Sequence, residues 1–103
     1  MLSVPTDNRL AHILVCTNQR SDSSLPCCAD AQGERVYQIL DDWLAKHQLR
    51  AAIWLTKTHC LGWCHGRGTT VAIYPQDIFY RAVTPEDCAH IIEHHLRPLL
   101  HRP

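Results

Sequence analysis

Six cysteines are the residues of this 103-residue chain with the most chemistry to offer. Two of them, with three residues between, lie in Thr58-His59-Cys60-Leu61-Gly62-Trp63-Cys64-His65-Gly66-Arg67-Gly68. Cysteines at this spacing can take neighbouring positions on one metal centre if the backbone turns sharply. Gly62 permits that turn, having no side chain to forbid positive φ. Gly66 and Gly68 let the chain leave close to a bulky centre, and a backbone passing so near can aim N–H groups at thiolate sulfur. Leu61 and Trp63 are apolar in a loop that would otherwise be polar, which suits a lid over a buried group. Taken alone, the stretch fits equally a reduced, partly buried cysteine pair in a tight loop.

The remaining cysteines are Cys16, Cys27, Cys28 and Cys88. Cys16 ends an apolar run, Leu10-Ala11-His12-Ile13-Leu14-Val15, that reads as a buried strand. A loop-like stretch, Thr17 to Pro26, then delivers the chain to Cys27 and Cys28. Asp30 can cap the helix that follows, where Val36, Ile39, Leu40, Trp43, Leu44 and His47 form one apolar stripe at helical spacing. Arg50-Ala51-Ala52-Ile53-Trp54-Leu55-Thr56 reads as a second buried strand, parallel to the first through a right-handed crossover. Thr69 to Tyr74 and Ile78 to Val83 flank Pro75-Gln76-Asp77 as a β-hairpin. Thr84 caps a last helix with Pro85 in its first position and Glu86 and Asp87 at the positive end of its dipole. Its stripe is Cys88, Ile91, Ile92, His95 and Leu96, and Pro98 is expected to end it.

This order, β-α-β-β-β-α, implies an α/β fold with a mixed sheet of thioredoxin-like type and the metal-site loops at one edge. Cys16 follows the first strand, and Cys60 and Cys64 follow its parallel neighbour, so the three converge there. The intervening loop need only fold back for Cys27 or Cys28 to join them. Four thiolates at one place make an all-cysteine metal site.

Composition bounds the rest. Residues 1–103 suit a single domain, with 1–9 a polar arm and 98–103 a short tail. The hydrophobic fraction is 46% and the charged fraction 19%, values of an ordinary globular protein. Lys+Arg and Asp+Glu are both 10, so no general attraction to nucleic acid or an anionic membrane follows. No apolar run is long enough to span a bilayer, and the first residues lack the pattern of a secretory signal. A cytoplasmic location is expected, and there six cysteines point to metal ligation or redox work more than to disulfides.

The chain resembles the thioredoxin-like [2Fe-2S] ferredoxins. The resemblance runs through His12 to Asn18 with Cys16, Cys28-Ala29 into the first helix, and Cys60-Leu61-Gly62-Trp63-Cys64. It continues through Val71 to Pro75, Ile78-Phe79-Tyr80, Val83 to Asp87 and Ile91 to Leu96. It implies four ligands, Cys16, Cys28, Cys60 and Cys64, in a C-x11-C…C-x3-C pattern holding a [2Fe-2S] cluster. It also implies single-electron transfer between redox protein donors and acceptors, a homodimer, and no enzymatic activity of the chain's own. The chain departs from the family pattern at His59, where a small residue is usual, and at Arg67-Gly68. Arg20, Lys57, His59, His65 and Arg67 would surround the cluster with positive charge against Asp22 and Asp30.

Two other readings compete: a structural four-cysteine zinc module, and a dithiol redox or metal-sensing protein working through Cys27-Cys28. Zinc suits the same ligands, whereas adjacent cysteines pair only with strain. Cys88 reads as a small core residue, and Trp43 and Trp54 as core. His59 and His65 read as solvated loop residues able to reach the sulfurs, and His90, His94, His95 and His101 as surface or rim residues, not a metal-binding group.

Overall fold

The computed structural model describes residues 1–3, 9–17, 32–58 and 69–101. Four six-residue strands form one sheet: β1 (Ala11–Cys16), β2 (Ile53–Thr58), β3 (Thr69–Tyr74) and β4 (Ile78–Val83). Their order across the sheet is β2-β1-β3-β4. β1 runs parallel to β2 and antiparallel to β3, which in turn pairs antiparallel with β4. With α1 (Gly33–Lys46) between β1 and β2 and a helical segment after β4, the expected order of elements is observed.

Alternation along the strands sends Ala11, Ile13 and Val15 of β1, and Val71 and Ile73 of β3, to one face. Val36, Leu40 and Leu44 of α1 meet them there, as do Cys88, Ile91, Ile92 and Leu96 of the C-terminal segment, so both helices share this face. Each such aliphatic side chain contributes about 1.5–3 kcal/mol by leaving water. β2 departs from expectation. It starts at Ile53, not Arg50, and as an edge strand it has only Ile53 fully buried. Residues 49–52 are instead a closed turn, in which Leu49 O accepts from the N–H groups of Ala52 and Ile53. Arg50 fastens that turn to α1 by a forked pair on Asp41 at 2.8 and 3.2 Å. Trp54, expected in the core, faces the other side, under Arg9 and edge-on to His12. The period of two decides this, because Ile53 and Leu55 take the inner positions.

α1 ends in a Schellman arrangement. Gln48 N–H donates to Ala45 O and Leu49 N–H to Leu44 O, while Gln48 sits at φ 57°. Leu44 and Leu49 pack on the same core, the apolar contact that accompanies this motif. At its start the N-cap position is held by Gln32 without a side-chain cap bond, and Asp30 lies outside the described residues.

A bulge shapes β4. Val71 pairs with Tyr80 but Thr69 with Val83, so Arg81 and Ala82 oppose the single residue Thr70. Ala82 adopts φ 58°, and the extra residue brings Val83 into the core. The hairpin has the expected turn at Pro75-Gln76-Asp77, entered through a cis Tyr74–Pro75 bond.

Thr84 opens the last segment as expected, donating from its backbone N–H (2.9 Å) and hydroxyl (3.0 Å) to the Asp87 carboxylate. Pro98, however, does not end it. After α2 (Cys88–Ile91) the helix widens to a π-type turn at Ile92–Leu96 and tightens to a 3₁₀ turn at Arg97–His101. Pro98 has no N–H for an α-type bond to His94, and this change of pitch carries the chain past it. Leu99 thereby still packs on the core, so the expected frayed tail is helical as far as His101.

Because Gln48 holds a left-handed conformation that costs a residue with a Cβ about 1 kcal/mol, Gln48→Gly should raise stability by up to about that amount. Urea unfolding of the two proteins measures it; a loss of stability would show that the Gln48 side chain supplies something beyond the backbone geometry.

Candidate metal centre

The candidate centre is built on the end of β1. Cys16 is the last residue of that strand and is wholly buried. β1 lies between β2 and β3, and Cys16 stands opposite Thr58, the last residue of β2. On its other side, the hydroxyl of Thr69, the first residue of β3, donates to the backbone carbonyl of Cys16. Residues 59–68, which carry Cys60 and Cys64, therefore join the strand on one side of Cys16 to the strand on the other. Neighbouring strands are about 5 Å apart, so both ends of that connection are held close to the Cys16 backbone.

The other cysteine-bearing connection, residues 18–31, starts and finishes at the same end of the sheet. Thr17 N–H donates to Thr58 O at 2.9 Å, and its hydroxyl reaches the same oxygen at 3.4 Å. At the far end of the connection, Glu34 in the first turn of α1 pairs with Lys57 of β2 at 2.8 Å. Lys57 also lies 4.8 Å above the Tyr37 ring. All four described chain ends bounding the two connections thus meet at one edge, as the sequence implies.

Of the four candidate ligands, Cys16 is placed by the structure, whereas Cys28, Cys60 and Cys64 lie outside the described residues. So do Cys27, His59, Leu61, Gly62, Trp63, His65 and Arg67. Among the described residues no three His, Cys, Asp or Glu side chains could hold a metal ion. One described atom bears on whether a thiolate-bound group fits here. Thr58 Oγ1, at the mouth of the Cys60 connection, is buried without a hydrogen-bond partner among the described residues. A buried hydroxyl left unpaired costs about 1–3 kcal/mol, and a neighbouring anionic sulfur would satisfy it. The donor type fits as well: buried Cys16 offers a soft thiolate, the kind of ligand that iron–sulfur clusters and zinc share. The threonines at 17, 58 and 69 escaped the sequence reading; their only signal is that each ends or begins a strand beside a cysteine-bearing stretch.

Lys57 corrects one expectation. Its hydrogen bond to Glu34 is the main cause of its raised pKa, and that partner removes it from the uncompensated positive charges around the site. Cys88 belongs to the core, as expected. It is buried with Sγ 4.0 Å from the carbonyl oxygens of Val36 and Thr84.

No family model matches the chain. A [2Fe-2S] ferredoxin of Aquifex aeolicus (strain VF5) is 31% identical over 88 residues, 84% of this chain and 78% of its own length. A [2Fe-2S] ferredoxin of Clostridium pasteurianum is 28% identical over 86 residues, 82% of this chain and 83% of its own length. The crystal structure of the thioredoxin-like [2Fe-2S] ferredoxin from Aquifex aeolicus superposes with a TM-score of 0.75 at 29% identity, covering 86% of this chain and 87% of that one. The mixed sheet with its two helices on one face is accordingly a thioredoxin-like fold, and the chain belongs to the thioredoxin-like [2Fe-2S] ferredoxin family.

Burial, followed by the charges of Asp87 and Glu86, pushes the Cys88 thiol up from 9.0 to about 11. A raised folded value means that the protonated thiol stabilises the native state, fully below about pH 9, with the benefit lost as pH climbs through 11. Native protein treated with iodoacetamide near neutral pH should therefore leave Cys88 unmodified in peptide mass mapping, and urea should expose it. Rapid native labelling would place Cys88 outside the core.

Proposed function

We propose that this chain is a small electron carrier whose single [2Fe-2S] cluster is held by Cys16, Cys28, Cys60 and Cys64. The observation that carries the reading is that the described ends of both cysteine-bearing connections lie beside buried Cys16, where β1 ends next to the edge strand β2. When bound, the cluster supplies a site that accepts and releases one electron. The chain supplies the thiolates, keeps water from Cys16, and offers the Thr58 hydroxyl as a donor beside it. Hydrogen bonds to sulfur and low solvent exposure are the terms by which a protein sets such a potential. The chain acts without substrate chemistry of its own; its partners are redox proteins that give and take the electron, in the cytoplasm.

Cys28 is preferred over Cys27 as the second ligand because it joins α1 at the family's distance. Freshly purified protein should be brown, bleach with dithionite, and contain two irons and two sulfides per chain. Colourless protein carrying zinc would instead make it a four-cysteine zinc module. Cys16→Ser, Cys28→Ser, Cys60→Ser and Cys64→Ser should each lose or strongly perturb the visible spectrum, because serine oxygen is a harder ligand, while Cys27→Ser and Cys88→Ser should retain it. If Cys27→Ser loses the cluster and Cys28→Ser keeps it, the second ligand is Cys27.

One face of the sheet supports a homodimer. Among the described residues no helix packs on the face that carries Leu14, Trp54, Ala72 and Phe79, and Phe79 remains 44% exposed. A second copy would cover this face and give an isologous interface. Multi-angle light scattering should report a dimer mass at micromolar concentration, and Phe79→Lys should shift it towards the monomer; a monomer throughout would remove the dimer from this reading.

A further inference from the structure

The C-terminal segment carries an arrangement that the cluster does not use. His90 and His94 are both exposed, yet their rings lie against each other, centroids 4.1 Å apart and planes inclined by 32°. The two rings thus face each other across one turn of the helix instead of pointing apart into solvent. Their placement has a backbone cause. Residues four apart in an α-helix are offset by about 40° around the axis, and the wider turn that begins at Ile92 reduces that offset. The surroundings brace the pair. Tyr80 of β4 stands edge-on to His90, with centroids 6.4 Å apart, and its hydroxyl lies 2.7 Å from Nε2 of His95. His90 also borders a cleft of about 360 Å³ shared with Tyr80, Arg81, Asp87 and Ile91.

We propose that His90 and His94 form a two-imidazole chelating site for a divalent transition-metal ion of the nickel, copper and zinc class. Imidazole is a preferred donor for these ions, whereas magnesium and calcium seek oxygen. Two histidines at this helical spacing put both ring nitrogens on one side of the helix, the arrangement that helical zinc sites use. No third described His, Cys, Asp or Glu side chain joins them, so water fills the remaining positions and the ion is exchangeable. Ligation needs the neutral rings. Burial and then the neighbouring charges of His94 and His90 hold His95 below its ordinary value of 6.5, which keeps a further positive charge away from the pair near neutral pH. Asp87 and Glu93 add negative charge on the same segment, Glu93 already sharing its own with Arg97 at 2.7 Å.

Titrating nickel chloride alone into the cluster-loaded full chain, followed by calorimetry at about pH 7.5, tests this directly. The expected result is one nickel ion per chain. His90→Gln and His94→Gln should each weaken it roughly 10²-fold, since the helix gives the second imidazole a high effective concentration. His12→Gln, on the far face of the sheet, should bind as the unaltered chain does. Both site residues are exposed, so the variants should fold, and an unchanged cluster spectrum would verify that. Paramagnetic nickel should also broaden the ring proton resonances of His90 and His94 ahead of those of His12 and His47. Equal binding after either substitution, or no uptake by the unaltered chain at millimolar nickel, would overturn the proposal.

Discussion

The parallel pairing of β1 with β2 is the constraint on which the rest depends. Six consecutive residue pairs, Ala11 with Ile53 through Cys16 with Thr58, hold the two strands in one register. A slip by one residue would turn Ile13 and Val15 away from α1 and move every side chain to the opposite face. It would also separate the end of β1 from the point at which the chain sets out towards Cys60. The register that builds the core is therefore the one that sets the mouth of the Cys60 connection beside Cys16. The core and the approach to Cys16 rest on the same ladder of hydrogen bonds.

The sheet uses its two faces unequally. α1 and the C-terminal segment share one face, and their leucines, isoleucines and valines close a single core over Ile13, Val15, Val71 and Ile73. The other face keeps aromatic and apolar groups with mixed exposure: Trp54 under Arg9, His12 bonded to Thr56 at 2.8 Å, and Phe79 at the side of the hairpin. Two irregularities let the covered face close. The bulge at Arg81 and Ala82 returns Val83 to the core, and the widened turn at Ile92–Leu96 carries Leu96 and Leu99 past Pro98. That second irregularity also aligns His90 with His94, so a device of packing shapes the surface opposite.

Much of the fold is legible in the residues themselves. Runs such as Ala11-His12-Ile13-Leu14-Val15 and Thr69 to Tyr74 combine β-branched residues with short length, and they are strands. The stripe from Val36 to Leu44 repeats at 3.6 residues, and it is a helix with its buried side where the stripe lies. Thr84-Pro85-Glu86-Asp87 states a helix start in local chemistry that no tertiary context needs to supply. The edge of the sheet at which both cysteine-bearing connections begin and end follows from the same order of elements, because parallel neighbours end at the same side.

Tertiary structure decided what local signals leave open. Which strand forms the edge depends on pairing between distant segments, so β2, although apolar in sequence, has one exposed margin and Trp54 on the outer face. The partner of Lys57 is Glu34, a residue of the crossover helix that approaches only once α1 has packed on the sheet. The threonines at 17, 58 and 69 have no pattern of their own; they gain meaning from lying around Cys16 in three dimensions. Pro98 shows the same limit from the other side. Proline forbids the α-type bond locally, but burial of Leu96 and Leu99 rewards continuing the helix by a different pitch, and only the assembled core can set that balance.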